Sequence, residues 1–286
     1  DFRMLSDVVV RLLRGELRSP HDLLGAHPSS VEGVDGVVFR ARVPRAAHMW
    51  VLLNGQRHPM AQLHDAFFEA FVPGAVLPLS YRLVVETVDG DETEFDDPYR
   101  FLPTLGEVDL HLYGEGRHLR LWEKLGAHHR VLDGVEGTSF AVWAPNARRV
   151  SVIGTFNGWD GRAHPMRMLG ASGVWELFVP GVMPGELYKY EIRSPAGAIR
   201  VKTDPIGFKL EQSPGNASIV ERRGHYTWND GEWMARRPDA DPIAEPMLVY
   251  EVHLASWRRG DDGRMLSYRE LAPLLAEHVT RLGFTH

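Results

Sequence analysis

The sequence repeats itself at an interval of about 100 residues, and this duplication restricts the folds open to the chain. Four motifs of the first copy recur in the second: Leu24-Gly25-Ala26-His27 at 125–128, His58-Pro59-Met60 at 164–166, Phe71-Val72-Pro73-Gly74 at 178–181, and Asp97-Pro98 at 204–205. The offset is 101 residues for the first motif and 107 for the last. The second copy has therefore gained residues, and they lie in 153–161, where the first copy has only 53–56.

Both copies consist of short segments in which apolar and polar residues alternate, separated by turns rich in Gly, Pro, Asn and Asp. Segments 39–43 and 188–192 are examples. Alternation with a period of two, interrupted by frequent turns, is typical of an antiparallel β-sandwich. We therefore predict a mostly β protein with two tandem, immunoglobulin-like β-sandwiches. Apolar residues at helical spacing before the first copy predict a short amphipathic helix: Leu5, Val8, Val9, Leu12 and Leu13.

The last forty residues follow a different pattern. Residues 236–246 are charged and punctuated by proline, as a linker would be, whereas 247–254 are nearly all apolar and predict a strand buried on both faces. Ser267 and Glu270 form a capping box ahead of an amphipathic helix that ends at Gly283. Strand, loop and helix in this order predict the first βα unit of a (β/α)₈ barrel, truncated here because a whole barrel needs about 250 residues.

These patterns predict three domains. Residues 1–112 would hold the N-terminal helix and the first sandwich, 113–227 the second sandwich, and 228–286 the linker and the start of the barrel. Residues 108–124, rich in His, Arg and Gly, would join the two sandwiches. The first residues have neither an initiator Met nor a signal peptide, so the sequence looks like an internal cut from a longer chain.

Charge and cysteine content exclude several classes of function. The formal net charge is −6, so no overall basic character points to nucleic acid or to an anionic membrane as a partner. No apolar stretch approaches the roughly 20 residues that a membrane helix needs. The chain has no cysteine, which excludes disulfides and thiol catalysis and fits a cytoplasmic protein. The histidines show no metal-ligand spacing, and we expect neither a metal nor another cofactor.

The residues gained by the second copy place Trp159 in a turn rich in Gly, Asn and Asp. A pyranose ring presents C–H bonds on its face and hydroxyls at its rim, so a sugar site needs a flat aromatic ring with polar groups nearby. Trp159, Asn157 and Lys189 offer these groups. The alternative is that Trp159 merely closes the end of the sandwich. Trp143 and Trp175 fall in the alternating strand pattern, and we predict that both are core residues.

Three segments of the second copy resemble the family 48 carbohydrate-binding module, which occurs in α-glucan enzymes and in the β subunit of AMP-activated kinase: 140–147, 156–160 and 187–190. In that family the residues matching Trp159 and Lys189 contact glucan. Glycogen-binding members carry a second Trp in the hairpin after the Tyr-Lys-Tyr segment, whereas this chain has Ala196-Gly197-Ala198-Ile199. The resemblance implies α-1,4-glucan or glycogen as the partner and leaves the oligomeric state undetermined.

Segments 250–259, 267–271 and 282–286 resemble the entry to the catalytic barrel of bacterial glycogen branching enzymes. This resemblance implies that the parent protein cleaves α-1,4 bonds and forms α-1,6 branches. It also implies that the catalytic carboxylates lie beyond His286, so that no catalytic residue is present and the fragment alone is inactive. Tyr250 and Trp257 would line the glucan groove, although core packing is an equal alternative for Tyr250. The rival functions are a non-enzymatic glycogen-targeting module and the front of a debranching or trehalose-forming hydrolase.

Overall fold

The structure is a computed structural model that describes residues 2–224, 226–241 and 243–286, with side chains from residue 7 onward. The chain divides into two compact units, Asp1–Arg223 and Gly224–His286. The described residues are mostly β, with four antiparallel sheets and few helices. The boundaries predicted between the three domains stay predictions.

The first copy forms two four-stranded antiparallel sheets, β1-β2-β6-β5 and β4-β3-β7-β8. Alternate residues of both sheets point inward, and Phe39, Val51, Phe68 and Leu83 share one hydrophobic core. The strands are β1 Gly25–Val31, β2 Val34–Arg42, β3 Ala46–Leu53, β4 Gln56–Pro59, β5 Ala61–His64, β6 Phe67–Pro73, β7 Tyr81–Thr87 and β8 Glu92–Phe95.

The second copy repeats this arrangement with sheets β12-β13-β10-β9 and β11-β14-β15, and β16 pairs with β14. Its strands are β9 Gly126–Leu132, β10 Val135–Trp143, β11 Arg149–Gly154, β12 Arg167–Met168, β13 Val174–Pro180, β14 Leu187–Arg193, β15 Ile199–Lys202 and β16 Ser218–Ile219. After β11 the counterpart of β4 in the first copy is reduced to a single β-bridge, between Ser151 and Pro165. Residues 155–164 occupy that part of the chain instead, so the inserted residues replace an edge strand with a loop.

The repeated Asp-Pro motif has the same structural role in both copies. The Asp97 carboxylate accepts hydrogen bonds from the Tyr81 hydroxyl at 2.7 Å and from the backbone N–H of Tyr99 at 2.9 Å. Asp204 accepts from the Tyr188 hydroxyl at 2.7 Å and from the N–H of Ile206 at 2.8 Å. Burial raises the pKa of Asp97 to about 6. The duplication seen in the sequence is thus a duplication of buried hydrogen bonds.

Contacts within the first unit link the two sandwiches. Helix α1, Phe2–Leu13, is confirmed, and its Val9 and Leu12 belong to the core cluster of the second sandwich. The buried Glu176 on β13 accepts two hydrogen bonds from Arg167 on β12, at 3.0 and 2.9 Å, and two from Thr104, which follows the first sandwich. A second helix, α2 Glu107–Gly114, lies in the segment that joins the sandwiches.

The two tryptophans predicted as core residues differ. Trp175 is fully buried, as predicted, and its indole N–H donates to the carbonyl of Ala144 at 3.0 Å. The prediction for Trp143 is wrong, because this residue is 51% exposed. Trp143 is the last residue of β10, and its ring contacts the edge of Tyr113 rather than the core.

The second unit contains the predicted capped helix. Helices α3 Gly231–Arg236 and α4 Leu254–Trp257 precede α5 Tyr268–Leu282. At the start of α5 the Ser267 hydroxyl accepts from the N–H of Glu270, and the Glu270 carboxylate accepts from the N–H of Ser267 at 2.8 Å. Gly283 ends the helix with φ of +77°. The capping box and the glycine stop are therefore confirmed.

The strand predicted at 247–254 is not confirmed, because the structure assigns no strand there. Met247, Leu248 and Val249 are 60, 48 and 60% exposed, so the prediction of burial on both faces is wrong for them. The backbone is nevertheless paired. The N–H of Tyr250 donates to the carbonyl of His286 at 2.7 Å, and the N–H of His286 donates to the carbonyl of Leu248 at 3.0 Å. His286 is thus hydrogen-bonded to both neighbours of Val249, which is the pattern of parallel strand pairing.

Candidate functional site

The loop that replaces the edge strand begins where β11 meets β14. Gly154 ends β11, and a Cβ there would overlap the carbonyl oxygen of Leu187 on the neighbouring strand, so only glycine fits without displacement. The N–H of Trp159 donates to the carbonyl of Gly154 at 3.0 Å and closes the loop. Gly158 and Trp159 both have left-handed backbones, with φ of +61° and +62°. A bulky residue rarely adopts this conformation, which is typical of functional positions.

Asn157 holds the loop in shape. Its side-chain oxygen accepts from the N–H of Gly154 at 2.9 Å, and its side-chain nitrogen donates to the carbonyl of Val152 at 3.0 Å and to Nδ1 of His164 at 2.8 Å. The two backbone partners fix which end of the amide is nitrogen. Both polar atoms of the amide are thus engaged within the protein, and the geometry gives Asn157 a positioning role.

Trp159 is 39% exposed at the surface of this loop. Lys189 lies on β14, where it pairs with Ile153 of β11. The buried Tyr188 and Tyr190 flank Lys189 in the sequence, so its side chain projects from the opposite face of the sheet. Trp159 and Asn157 therefore lie in the loop that follows β11, and Lys189 lies on the adjacent strand β14; their joint role in sugar binding stays a prediction.

The Lys189 ammonium donates to the side-chain oxygen of Asn216, a residue that the sequence analysis did not select. Within the described residues, no carboxylate lies within ion-pair distance of Lys189. The carboxylate of Asp160, the residue after Trp159, is paired with Arg162, and their hydrogen bond lowers the pKa of Asp160. The site therefore offers the ammonium of Lys189 and the side-chain amide of Asn216, which are hydrogen-bonded to each other. Both groups suit a neutral hydroxylated ligand.

The hairpin after β14 lacks the second Trp of the glycogen-binding modules but is not polar. Val201 pairs with Glu191 and Ile199 pairs with Arg193, which places both apolar residues on the same face of the sheet as Lys189. They are 50 and 56% exposed. Exposed aliphatic side chains therefore share the face of the sheet from which Lys189 projects.

Tyr250 and Trp257 come together in the second unit. The indole N–H of Trp257 donates to the Tyr250 hydroxyl at 2.8 Å, and both rings contact His278 edge-on at 5.5 Å. Tyr250 also contacts Phe284 at 4.9 Å. Both aromatic rings are partly exposed and remain predicted glucan contacts.

The parts of the chain that the structure describes contain neither a metal-binding cluster nor a membrane-spanning helix. Among the described residues, no group of three or more His, Cys, Asp or Glu side chains converges as a metal site would require. None of the described helices has the length and apolar content to cross a bilayer.

Comparison with protein families agrees with this geometry. Residues 5–99 match the alpha-1,4-glucan branching enzyme GlgB, N-terminal domain, and residues 124–207 match carbohydrate-binding module 48, also described as the isoamylase N-terminal domain. The 1,4-alpha-glucan branching enzyme GlgB of Rhodococcus jostii is 52% identical over 96% of the chain. The chain matches the N-terminal portion of GlgB branching enzymes. Its first sandwich and the Trp159 loop thus lie in the two regions that the family descriptions cover.

Two further GlgB relatives give the same result. The branching enzyme of Thermobifida fusca is 53% identical over 96% of the chain, and that of Rhodospirillum rubrum is 47% identical over 100% of the chain. The chain spans only 36 and 39% of these two relatives, and 37% of the Rhodococcus jostii relative.

Proposed function

We propose that the protein carrying this chain is a 1,4-α-glucan branching enzyme, which cleaves α-1,4 bonds and transfers the freed chain to a 6-hydroxyl. The support is identity of about half of all residues to GlgB relatives along nearly the entire chain. In this proposal the chain contributes glucan binding and domain bracing, whereas catalysis depends on carboxylates elsewhere in the protein. Retention of anomeric configuration needs two carboxyl groups roughly 5 Å apart. A cytoplasmic location remains a prediction.

The observation that carries the binding role is the face built by Trp159 and Lys189. The exposed indole suits the C–H face of a glucose ring, and the ammonium and amide of Lys189 and Asn216 suit its hydroxyls. Asn157 keeps the loop in position, and Ile199 extends the apolar surface. Bound glucan would thereby be held close to the rest of the enzyme.

The second unit supports the proposed barrel start. The parallel hydrogen-bond pattern between residues 248–250 and 286, with α5 between them, is that of a βαβ connection. The exposed apolar side chains at 247–249 suit a strand that another element covers. We propose that this segment is the first βα unit of the barrel and that Tyr250 and Trp257 line the glucan groove there.

Electrophoresis of the 286-residue chain through a native gel containing glycogen tests the binding role. We expect glycogen to retard the protein and Trp159→Ala to weaken binding about tenfold, because loss of a central aromatic contact typically exceeds 1 kcal/mol. Trp143→Ala is the matched control, since it removes a still more exposed indole from the other sheet of the same sandwich. Equal retardation of the unsubstituted protein and both variants would show that Trp159 does not contact glycogen.

The activity needs a separate test on the full-length protein. Incubation with amylose should yield α-1,6 linkages that a debranching enzyme then releases, without a matching rise in reducing ends. A rise in reducing ends without new branches would identify a hydrolase instead.

A further inference from the structure

A cavity of about 540 Å³ lies between the two sandwiches, within the first unit. Its walls are mainly apolar and come from both copies, with Phe95 and Tyr99 on one side and Phe156 and Val182 on the other. Small-molecule sites typically enclose about 300–1,000 Å³, and they form preferentially where domains meet. The cavity therefore has the size and setting of a binding site distinct from the Trp159 face.

Two side chains of the cavity lining, His164 and Arg42, each have a nitrogen without a hydrogen-bond partner among the described residues, although Nη1 of Arg42 donates to the carbonyl of Leu12 at 3.4 Å. Because Asn157 donates to Nδ1 of His164, the neutral imidazole carries its proton on Nε2. Burial lowers the pKa of His164 to about 4, so the neutral form prevails at pH 7. Within the described residues Nε2 has no partner. Arg42 is 7% exposed, and its Nε is buried and unpartnered.

The charges around the cavity argue against an anion. Arg42 and Arg45 line it, but so do the carboxylates of Asp96, Asp97 and Asp160. Asp96 and Asp160 are paired with Arg100 and Arg162, and Arg45 is paired with Asp89, so the lining has no excess of positive charge for an anion. A neutral hydroxyl can both donate and accept hydrogen bonds and needs no counter-charge. Apolar walls with scattered donors and acceptors match a molecule that has apolar ring faces and a rim of hydroxyls.

We propose that this cavity is a second carbohydrate site, which binds a short α-1,4-glucan segment of about two glucose units. The ring faces contact Phe156 and Tyr99, and glucan oxygens accept hydrogen bonds from Arg42 and His164. The choice of α-glucan over other neutral sugars rests on the function proposed above. The loop that carries Trp159 also contributes Phe156 and His164 to the cavity lining, so the two sites share a loop.

Titration of the isotopically labelled 286-residue chain with maltotriose, followed by amide NMR spectra, tests the proposal. The amides of Val43 and Val182 report on the cavity, and those of Lys189 and Val201 report on the outer face. In the unsubstituted protein we expect saturable shifts in both sets. In Trp159→Ala the cavity shifts should persist while the outer-face shifts weaken about tenfold.

Two variants change the cavity lining and leave the Trp159 face in place, although Arg42→Met also removes the hydrogen bond to the carbonyl of Leu12. Arg42→Met removes the unpartnered donor and should weaken the cavity shifts about tenfold, as expected for one charge-assisted hydrogen bond. Thr93→Trp places a large ring on the exposed part of the lining and should abolish the cavity shifts without altering the outer-face set. If Arg42→Met does not fold, Thr93→Trp decides the question.

The outcomes separate this proposal from the previous one. Outer-face shifts without cavity shifts overturn the cavity site alone, whereas no shift in either set overturns both. Cavity shifts that disappear together with outer-face shifts in Trp159→Ala are transmitted through the loop and also overturn the second site. Inorganic phosphate that shifts the cavity set at lower concentration than maltotriose identifies an anion site and contradicts the charge argument.

Discussion

Replacing Asn157 with alanine should loosen the loop that presents Trp159. The substitution removes three hydrogen bonds, of 2.9, 3.0 and 2.8 Å, and leaves the N–H of Gly154 and the carbonyl of Val152 without their partner. A net hydrogen bond contributes about 1 kcal/mol, and an unsatisfied buried group costs about 1–3 kcal/mol. Because Asn157 is only partly buried, water compensates for some of this loss. We expect the free energy of unfolding to fall by about 2–3 kcal/mol.

Urea unfolding measures that loss, and glycogen affinity measures its effect on the site. The affinity should fall although Asn157 does not contact glucan in this account, because the Trp159 backbone is no longer held in its left-handed conformation. Asn146→Ala is the matched control, since Asn146 is exposed and has no side-chain hydrogen bond within the described residues. An Asn157→Ala protein with unchanged unfolding midpoint and unchanged glycogen affinity would refute the positioning role.

Three further predictions concern stability, measured by urea unfolding. Glu176→Gln should cost about 3 kcal/mol, since it leaves the buried Arg167 without its counter-charge; a loss below about 1 kcal/mol would contradict this. The folded-state pKa of Asp97, about 6, lies above its unfolded value, so folding is favoured when this carboxyl is protonated. Relative to Asp97→Asn, the unsubstituted protein should therefore lose about 3 kcal/mol as pH rises from about 4 to above 6, and parallel pH profiles would disprove this. Trp159→Gly should be about 1 kcal/mol more stable than Trp159→Ala, because glycine tolerates the positive φ; equal stabilities would argue against strain there.

The duplication allowed much of the fold to be predicted. The repeated motifs include buried anchors such as Asp97 and Asp204, whose partners recur at the same spacing. The capped helix was predictable for a similar reason, since the hydrogen bonds of Ser267 and Glu270 are local. The sandwiches, which repeat one pattern, and the helix cap, which depends on local hydrogen bonds, were therefore predictable from the sequence.

Features that depend on distant neighbours were not predictable. Period-two alternation identified the strand that holds Trp143 but could not show that its last residue lies outside the core. Residues 247–254 have the composition of a buried strand, yet a strand requires hydrogen-bonded neighbours as well as apolar side chains. Asn216 was missed because it lies 27 residues from Lys189 in the sequence and meets it only in the fold.

The chain has eight tryptophans, and the indole N–H resonance of Trp159 tests the central claim most directly. During titration with maltoheptaose, the account predicts that this resonance moves saturably while that of Trp143 stays in place. A Trp159 resonance that does not move while glycogen still retards the protein would show that glucan binds elsewhere on the chain.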